Sequence, residues 1–233
     1  MAPDLAASPR GSDPEDVPRC ERKRAGSLYG GGRPEAGPYA RKMPRPPRVN
    51  VPGGTYHVTA RGNRGHPVFA DDRDGVAFFA LFGGVVARLT WRCHAFCLMP
   101  NHYHAVIETQ EANLSAGMQY VNSRYAEWFN RRHRLKGHLF QGRFHSVLVE
   151  STWHLLDLSR YISLNPVRAG LCVNPAHWRW SSYRAVAGLG PAPPFLAAGI
   201  VLEHFGRPPS KARLAFRRFV CDGLPTARRH TAT

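Results

Sequence analysis

The segment Pro100-Asn101-His102-Tyr103-His104-Ala105-Val106-Ile107 holds two imidazoles separated by one residue. In an extended chain alternate side chains point the same way, so His102 and His104 share a face, close enough to grip one cation, while Tyr103, Ala105 and Ile107 turn toward a core. On spacing alone the pair is either half of a metal site or two ordinary half-buried histidines. A second candidate lies in Thr152 to Pro166, where Tyr161 and Asn165 stand four residues apart and so project from one helix face a turn apart. A phenol and an amide could reach one site from there. A packed core tyrosine and a helix-end asparagine fit the same spacing. Asp157, one turn earlier, reads as an ion-pair partner of a base such as Arg160. His57, on an earlier strand, reads as a sheet residue more readily than as a further ligand.

These residues need elements to hold them. Thr55 to Ala60 reads as a strand, and a helix follows with Asp71, Asp72 and Asp74 at its N-terminal end, weakened by two glycines. Trp91 to Met99 and His102 to Thr109 read as two strands joined at Met99-Pro100-Asn101. Leu114 to about Arg134 carries the longest helical pattern, through Leu114, Met118, Val121, Tyr125 and Trp128. Ser146 to Val149 reads as a short strand. Thr152 to Leu164 reads as a helix capped by Ser151 or Thr152 and stopped by Pro166. The order β-α-β-β-α-β-α predicts an α+β fold, a ferredoxin-like sandwich with an antiparallel sheet and two helices on one face, plus an appended helix carrying Tyr161. A small helical C-terminal extension would follow. The expected organisation is a Pro/Gly-rich basic arm without order over 1–50, a main domain over 51–170 and an accessory region over 171–233.

The 233 residues carry 32 Lys and Arg against 16 Asp and Glu, a net charge of +16. The first fifty hold ten basic and six acidic residues, a net of +4, which leaves 16 − 4 = +12 for the rest. Such a balance favours a polyanionic partner, nucleic acid before a membrane. No apolar run is long enough to span a bilayer and the N-terminus lacks a secretion signal, so the expected location is cytoplasmic. The five cysteines form neither a disulfide framework nor a zinc ribbon, and Cys93 and Cys97 are expected to share a strand face as small hydrophobes. Arg61, Arg124, Arg131, Arg132 and Arg143 are candidates for phosphate contacts, among aromatics that could stack on bases. A solvated helix face over core aromatics is the plain alternative. The Trp178-Arg179-Trp180-Ser181-Ser182-Tyr183-Arg184 stretch reads by default as packing.

Three ordered segments, the strand MPNHYHAVIE, then Gly137-His138-Leu139-Phe140-Gln141-Gly142-Arg143-Phe144, then Arg160 to Gly170, resemble the HUH single-tyrosine transposases. The branch they resemble most is the REP-associated tyrosine transposases, from about Gly54 through Gly223. The resemblance implies His102 and His104 as metal ligands, Tyr161 as nucleophile and Asn165 as a third ligand. The position between the histidines is usually aliphatic in that family and is Tyr103 here, which reads as core packing. The implied activity is cleavage and rejoining of single-stranded DNA with hairpin or palindromic repeats, through a 5′-phosphotyrosine and a divalent cation, Mg²⁺ or Mn²⁺. Imidazole suits Mn²⁺ or Zn²⁺ better than Mg²⁺. Only ten Asp and Glu follow residue 50, and three of them crowd at 71–74, so few remain for a two-metal acidic triad. The competing readings are a transposase-derived DNA-binding regulator that has lost catalysis, an RRM-like RNA-binding domain that lacks its aromatic strand motif, and a water-using metal hydrolase. A homodimer, with Tyr161 acting in cis or in trans, is left open by the sequence.

Overall fold

The structure, a computed structural model, describes residues 50–224. The arm expected over 1–50 therefore lies outside the described residues except for Asn50, as do the last nine positions of the expected accessory region. Four strands, β1 (Thr55–Arg61), β2 (Arg92–Met99), β3 (His102–Glu108) and β4 (His145–Leu148), form one sheet in the order β2-β3-β1-β4 with every neighbour antiparallel. Helices α1 (Asp72–Arg88) and α2 (Leu114–His133) complete the β-α-β-β-α-β order of a ferredoxin-like sandwich. Alternation sends Tyr56, Val58 and Ala60 of β1 and Tyr103, Ala105 and Ile107 of β3 into a core shared with Phe78, Phe82, Met118 and Tyr125 from the two helices.

Local chemistry explains the helix ends. Asp71 caps α1 by accepting from the backbone N–H groups of Arg73 and Asp74, while the Asp74 carboxylate reaches back to the Asp71 N–H, a capping box. The glycines that weaken the α1 pattern are explained at Gly83, where a Cβ would stand 2.8 Å from the Phe195 ring. Arg132 closes the α1–α2 contact. Its guanidinium donates to both Asp71 and the fully buried Asp74, each at 2.5 Å, and lies over the Trp128 ring.

Helix α3 (Thr152–Arg168) takes the opposite face of the sheet. Its Leu155 and Ile162 pack on Ala95, Cys97 and Met99 of β2 and Val106 of β3, forming a second, smaller core. Two buried serines on α3, Ser159 and Ser163, turn their hydroxyls back to the carbonyls of Leu155 and Ser159 at 2.9 and 2.7 Å, which satisfies them without any partner on the sheet. The expected stop at Pro166 is corrected. Pro166 lies inside the last turn, and the helix ends instead at Arg168, followed by Gly170, whose φ of +69° permits a Schellman closure: Leu171 N–H donates to the Pro166 carbonyl and Gly170 N–H to that of Val167.

A second correction concerns the cysteines. A bulge between Cys93 and Ala95 shifts the pleat, so Cys93 enters the α1–α2 core and Cys97 the α3 core, on opposite faces. The Trp178 to Tyr183 stretch lies along the outer edge of β2. Ser182 N–H donates to the Phe96 carbonyl at 2.9 Å, Leu98 N–H to the Trp180 carbonyl at 2.8 Å, and the Trp178 indole to the Leu98 carbonyl at 2.9 Å. An open strand edge is thereby covered. Three further helices, α4 (Tyr183–Val186), α5 (Ala198–Glu203) and α6 (Pro209–Cys221), add Tyr183, Val201 and Phe216 to the larger core. No helix among the described residues is long and apolar enough to cross a membrane.

The fully buried Ile162 anchors α3 to the sheet. Ile162→Ala is expected to cost about 2–4 kcal/mol by loss of apolar burial and the cavity left behind. Urea unfolding with a lowered midpoint and an unchanged slope would check it; a shift under 0.5 kcal/mol would mean that α3 is not held this way.

Candidate active site

The face of the sheet opposite α1 and α2 carries, by alternation, His57, Thr59 and Arg61 from β1 and His102, His104 and Val106 from β3. Pairing in register sets Thr59 beside His104 and Arg61 beside His102. Helix α3 crosses this face and lowers Tyr161 and Asn165 onto the histidines. The Asn165 amide nitrogen is 3.2 Å from His104 Nε2, and the Tyr161 ring meets the edge of the His104 ring with centroids 5.6 Å apart. The four residues singled out by spacing, His102, His104, Tyr161 and Asn165, therefore converge within one chain.

The hydrogen bonds fix which ring nitrogens are free. Asn101 Oδ1 lies 2.7 Å from His102 Nδ1 and can only accept, so His102 carries its proton on Nδ1 and a lone pair on Nε2. The Asn165 amide donates to His104 Nε2, which makes Nε2 the acceptor and leaves His104 Nδ1–H to donate to His57 Nε2 at 3.0 Å. His57 also stacks on His104, with centroids 5.2 Å apart and ring planes 13° apart. Both members of the His-x-His pair thus present Nε2 lone pairs, as a ligand to a cation must. Turning the Asn165 amide over would bring its oxygen to the point where its nitrogen now stands. These atoms fit a divalent ion held by two imidazoles and an amide oxygen. The His57 Nε2 lone pair is taken up by His104 Nδ1–H, so His57 supports His104 rather than joining the set, and among the described residues no group of three or more His, Cys, Asp or Glu is arranged to hold an ion.

Electrostatics agree with neutral rings. Burial lowers the pKa of His102 to about 4, with the nearby Arg61 cation adding to the effect. Burial likewise lowers His57 to about 4, reinforced by His145 and His154, and His104 falls well below the usual histidine value through burial and its two histidine neighbours. At neutral pH all three lone-pair systems are unprotonated. Tyr161 is only half-buried, and the guanidinium carbon of Arg168, two turns on, lies 5.4 Å from the centre of its ring. Tyr103 is fully buried on the other face, where its hydroxyl donates to Asn122 Oδ1 at 2.7 Å. It is a core residue.

The arginines divide. Arg61 stands beside His102, and exposed Arg143 lines a cleft at the same end of β1. Arg124 and Arg131 are exposed on α2, across the sheet from the histidines, and Arg124 pairs with Glu127 at 3.1 Å. Arg132, also a candidate phosphate contact, gives its guanidinium to Asp71 and Asp74 in this structure. Asp157 pairs with Arg160 at 2.5 Å, as its spacing suggests, and Arg160 in turn lies over the Phe219 ring of α6. Two participants were not assigned these places from sequence: His57 as the partner of His104, and Arg168 over Tyr161. The seven-residue spacing from Tyr161 to Arg168 was the available signal for the second; the first required the β1–β3 register.

The profile of the family described as "Transposase IS200 like" matches residues 50–165. No curated protein matches the chain. Among solved structures, a REP-associated tyrosine transposase bound to a REP hairpin is similar in fold with a TM-score of 0.54 at 21% identity, over 66% of this chain and 92% of that one. A tRNA(His) guanylyltransferase from Saccharomyces cerevisiae aligns over 76% of this chain and 83% of its own at 11% identity, with a TM-score of 0.39 that carries no structural argument.

Proposed function

Because residues 50–165 belong to the family of IS200-like transposases, we propose that the chain cleaves and rejoins single-stranded DNA next to a hairpin, with Tyr161 as the nucleophile. The observation that carries this reading is the convergence of α3 on the His-x-His strand: one helix brings a phenol and an amide to two neutral imidazoles. The hairpin-bound state of the similar transposase structure supports a hairpin substrate, and so does the charge of +12 outside the first fifty residues.

His102 Nε2, His104 Nε2 and the Asn165 amide oxygen would hold a divalent cation, Mg²⁺ or Mn²⁺, which when bound supplies Lewis acidity toward the scissile phosphate and its leaving oxygen. Arg61 and Arg168 flank the site and offer charge to the phosphate from two sides. The Tyr161 hydroxyl gives up its proton, its oxygen bonds to phosphorus, the P–O3′ bond breaks, and the departing 3′ oxygen takes up a proton. A 5′-phosphotyrosine is left. The 3′-hydroxyl of a second strand reverses these steps, so joining needs no nucleotide cofactor.

Tyr161→Phe keeps the ring and removes the attacking oxygen. Incubated with labelled hairpin DNA from the gene's flanks and Mn²⁺, wild type is expected to give a band of covalent adduct on a denaturing gel. Tyr161→Phe is expected to give none, and Tyr103→Phe, altered on the far face, is expected to resemble wild type. Adducts from Tyr161→Phe would remove Tyr161 from the reaction; hairpin binding by wild type with no adduct at all would leave a DNA-binding protein without catalysis.

His57 acts through His104. His57→Leu is expected to weaken Mn²⁺ binding about 10–100-fold by calorimetry in the absence of DNA, with His57→Gln, which offers an acceptor to His104 Nδ1, partly restoring it. Equal affinity in all three proteins would make His57 merely a sheet residue.

A further inference from the structure

The turn before the His-x-His strand is clamped from outside the hairpin it closes. Pro100 and Asn101 join β2 to β3, and the segment that follows β1 binds both of them through the backbone. Val68 N–H and Phe69 N–H donate to the Pro100 carbonyl at 2.8 and 3.0 Å, and Gly62 N–H donates to the Asn101 carbonyl at 2.7 Å. That segment is itself anchored in the core, since Val68 is fully buried and its carbonyl accepts from the Tyr125 hydroxyl of α2 at 2.6 Å. Gly62 has no room for a side chain: a Cβ there would stand 2.0 Å from the His66 carbonyl oxygen.

The clamp fixes the backbone of Asn101, and with it the side-chain oxygen bonded to His102. Asn101 Oδ1 lies 2.7 Å from His102 Nδ1. In an extended chain consecutive side chains point to opposite faces, so neighbours in sequence do not meet. Asn101 meets His102 because residue 101 is still in the turn. Without the three backbone bonds from 62–69, nothing in the strand itself would keep the two side chains together.

The bond decides which nitrogen can ligate. A neutral imidazole carries one proton, and the nitrogen that keeps it has no lone pair to give. Free in water, the histidine ring favours the proton on Nε2, the atom that the proposed cation needs bare. An acceptor at Nδ1 reverses that preference. The groups that orient the two rings are both neutral, an amide for His102 and an imidazole for His104. Neither ligand therefore gains the basicity that a carboxylate partner would lend it.

We propose that Asn101 is a positioning residue for the metal: from its clamped turn it holds His102 in the Nδ1–H tautomer with Nε2 bare, and does so without adding charge to the site. The role rests on the divalent-cation reading and adds to it the residue that readies one ligand before the ion binds.

Two measurements test it, neither of which needs DNA or cleavage. Imidazole nitrogen NMR of the metal-free protein at neutral pH reports the tautomer of His102, and calorimetry with Mn²⁺ reports affinity. Wild type is expected to carry the His102 proton on Nδ1. Asn101→Leu, similar in size and unable to accept, is expected to move that proton toward Nε2 and to weaken Mn²⁺ binding about 10–100-fold. Asn101→Asp restores an acceptor and adds charge, and is expected to keep the Nδ1–H form and to bind Mn²⁺ at least as tightly as wild type. The wild-type tautomer and the Asn101→Asp affinity decide the matter even where Asn101→Leu does not fold. A wild-type His102 protonated on Nε2, a folded Asn101→Leu protein with unchanged tautomer and affinity, or an Asn101→Asp protein that binds Mn²⁺ tenfold more weakly than wild type overturns the role of Asn101 and leaves cleavage by Tyr161 standing. A wild type that shows the Nδ1–H tautomer and binds no Mn²⁺ overturns the cation reading, and this role with it.

Discussion

The seating of α3 on the sheet face left bare by α1 and α2 is the constraint from which the site follows. Leu155 and Ile162 have to be buried, and they pack on the strip of Ala95, Cys97, Met99 and Val106. Once they are buried, the helical repeat leaves no choice about Tyr161 and Asn165. They descend over His104 because they sit one residue before and three after Ile162. The Schellman closure at Gly170 carries the helix past Pro166 and so keeps Arg168 above the Tyr161 ring.

The same packing sets the electrostatics. Covering the histidines withdraws them from water, and the result is three neutral rings whose protons are assigned by the hydrogen bonds that Asn101 and His57 accept and Asn165 donates. Neutral, oriented imidazoles are what a cation site requires and what a surface patch of histidines would not supply. The sheet meanwhile separates two kinds of work. Its α1–α2 face is an aromatic core with Tyr103 sealed into it, and the buried Asp74 and Arg132 lock the two helices together. Its α3 face carries the groups that could react.

Much of this was legible in the sequence because it rests on local periodicity. Alternation placed His102 and His104 together and Tyr103 opposite; a spacing of four placed Tyr161 with Asn165; the order of elements gave the sandwich. What was not legible depends on partners distant along the chain. Arg132 looks like any other arginine on a basic helix until Asp71 and Asp74 fold against it. Cys93 and Cys97 share a face in a regular strand, and only the bulge at Cys93 and Ala95 separates them. Pro166 is a fair helix stop by itself, but the helix runs on to Arg168, and the Gly170 turn closes the carbonyls of Pro166 and Val167. His57 becomes a partner of His104 only through the antiparallel register of β1 and β3, which no pattern in either strand reveals.

In the proposed reaction a single chain assembles the reacting groups, its α3 folded over its own histidines. Mixing two inactive proteins tests it directly: a His102→Ala/His104→Ala protein with an intact Tyr161, and a Tyr161→Phe protein with intact histidines, incubated together with labelled hairpin DNA and Mn²⁺ beside wild type. With the site built in one chain, the mixture forms no covalent adduct while wild type does. Adduct recovered by the mixture would mean that the tyrosine of one chain serves the histidines of another, and would contradict the arrangement of α3 described above.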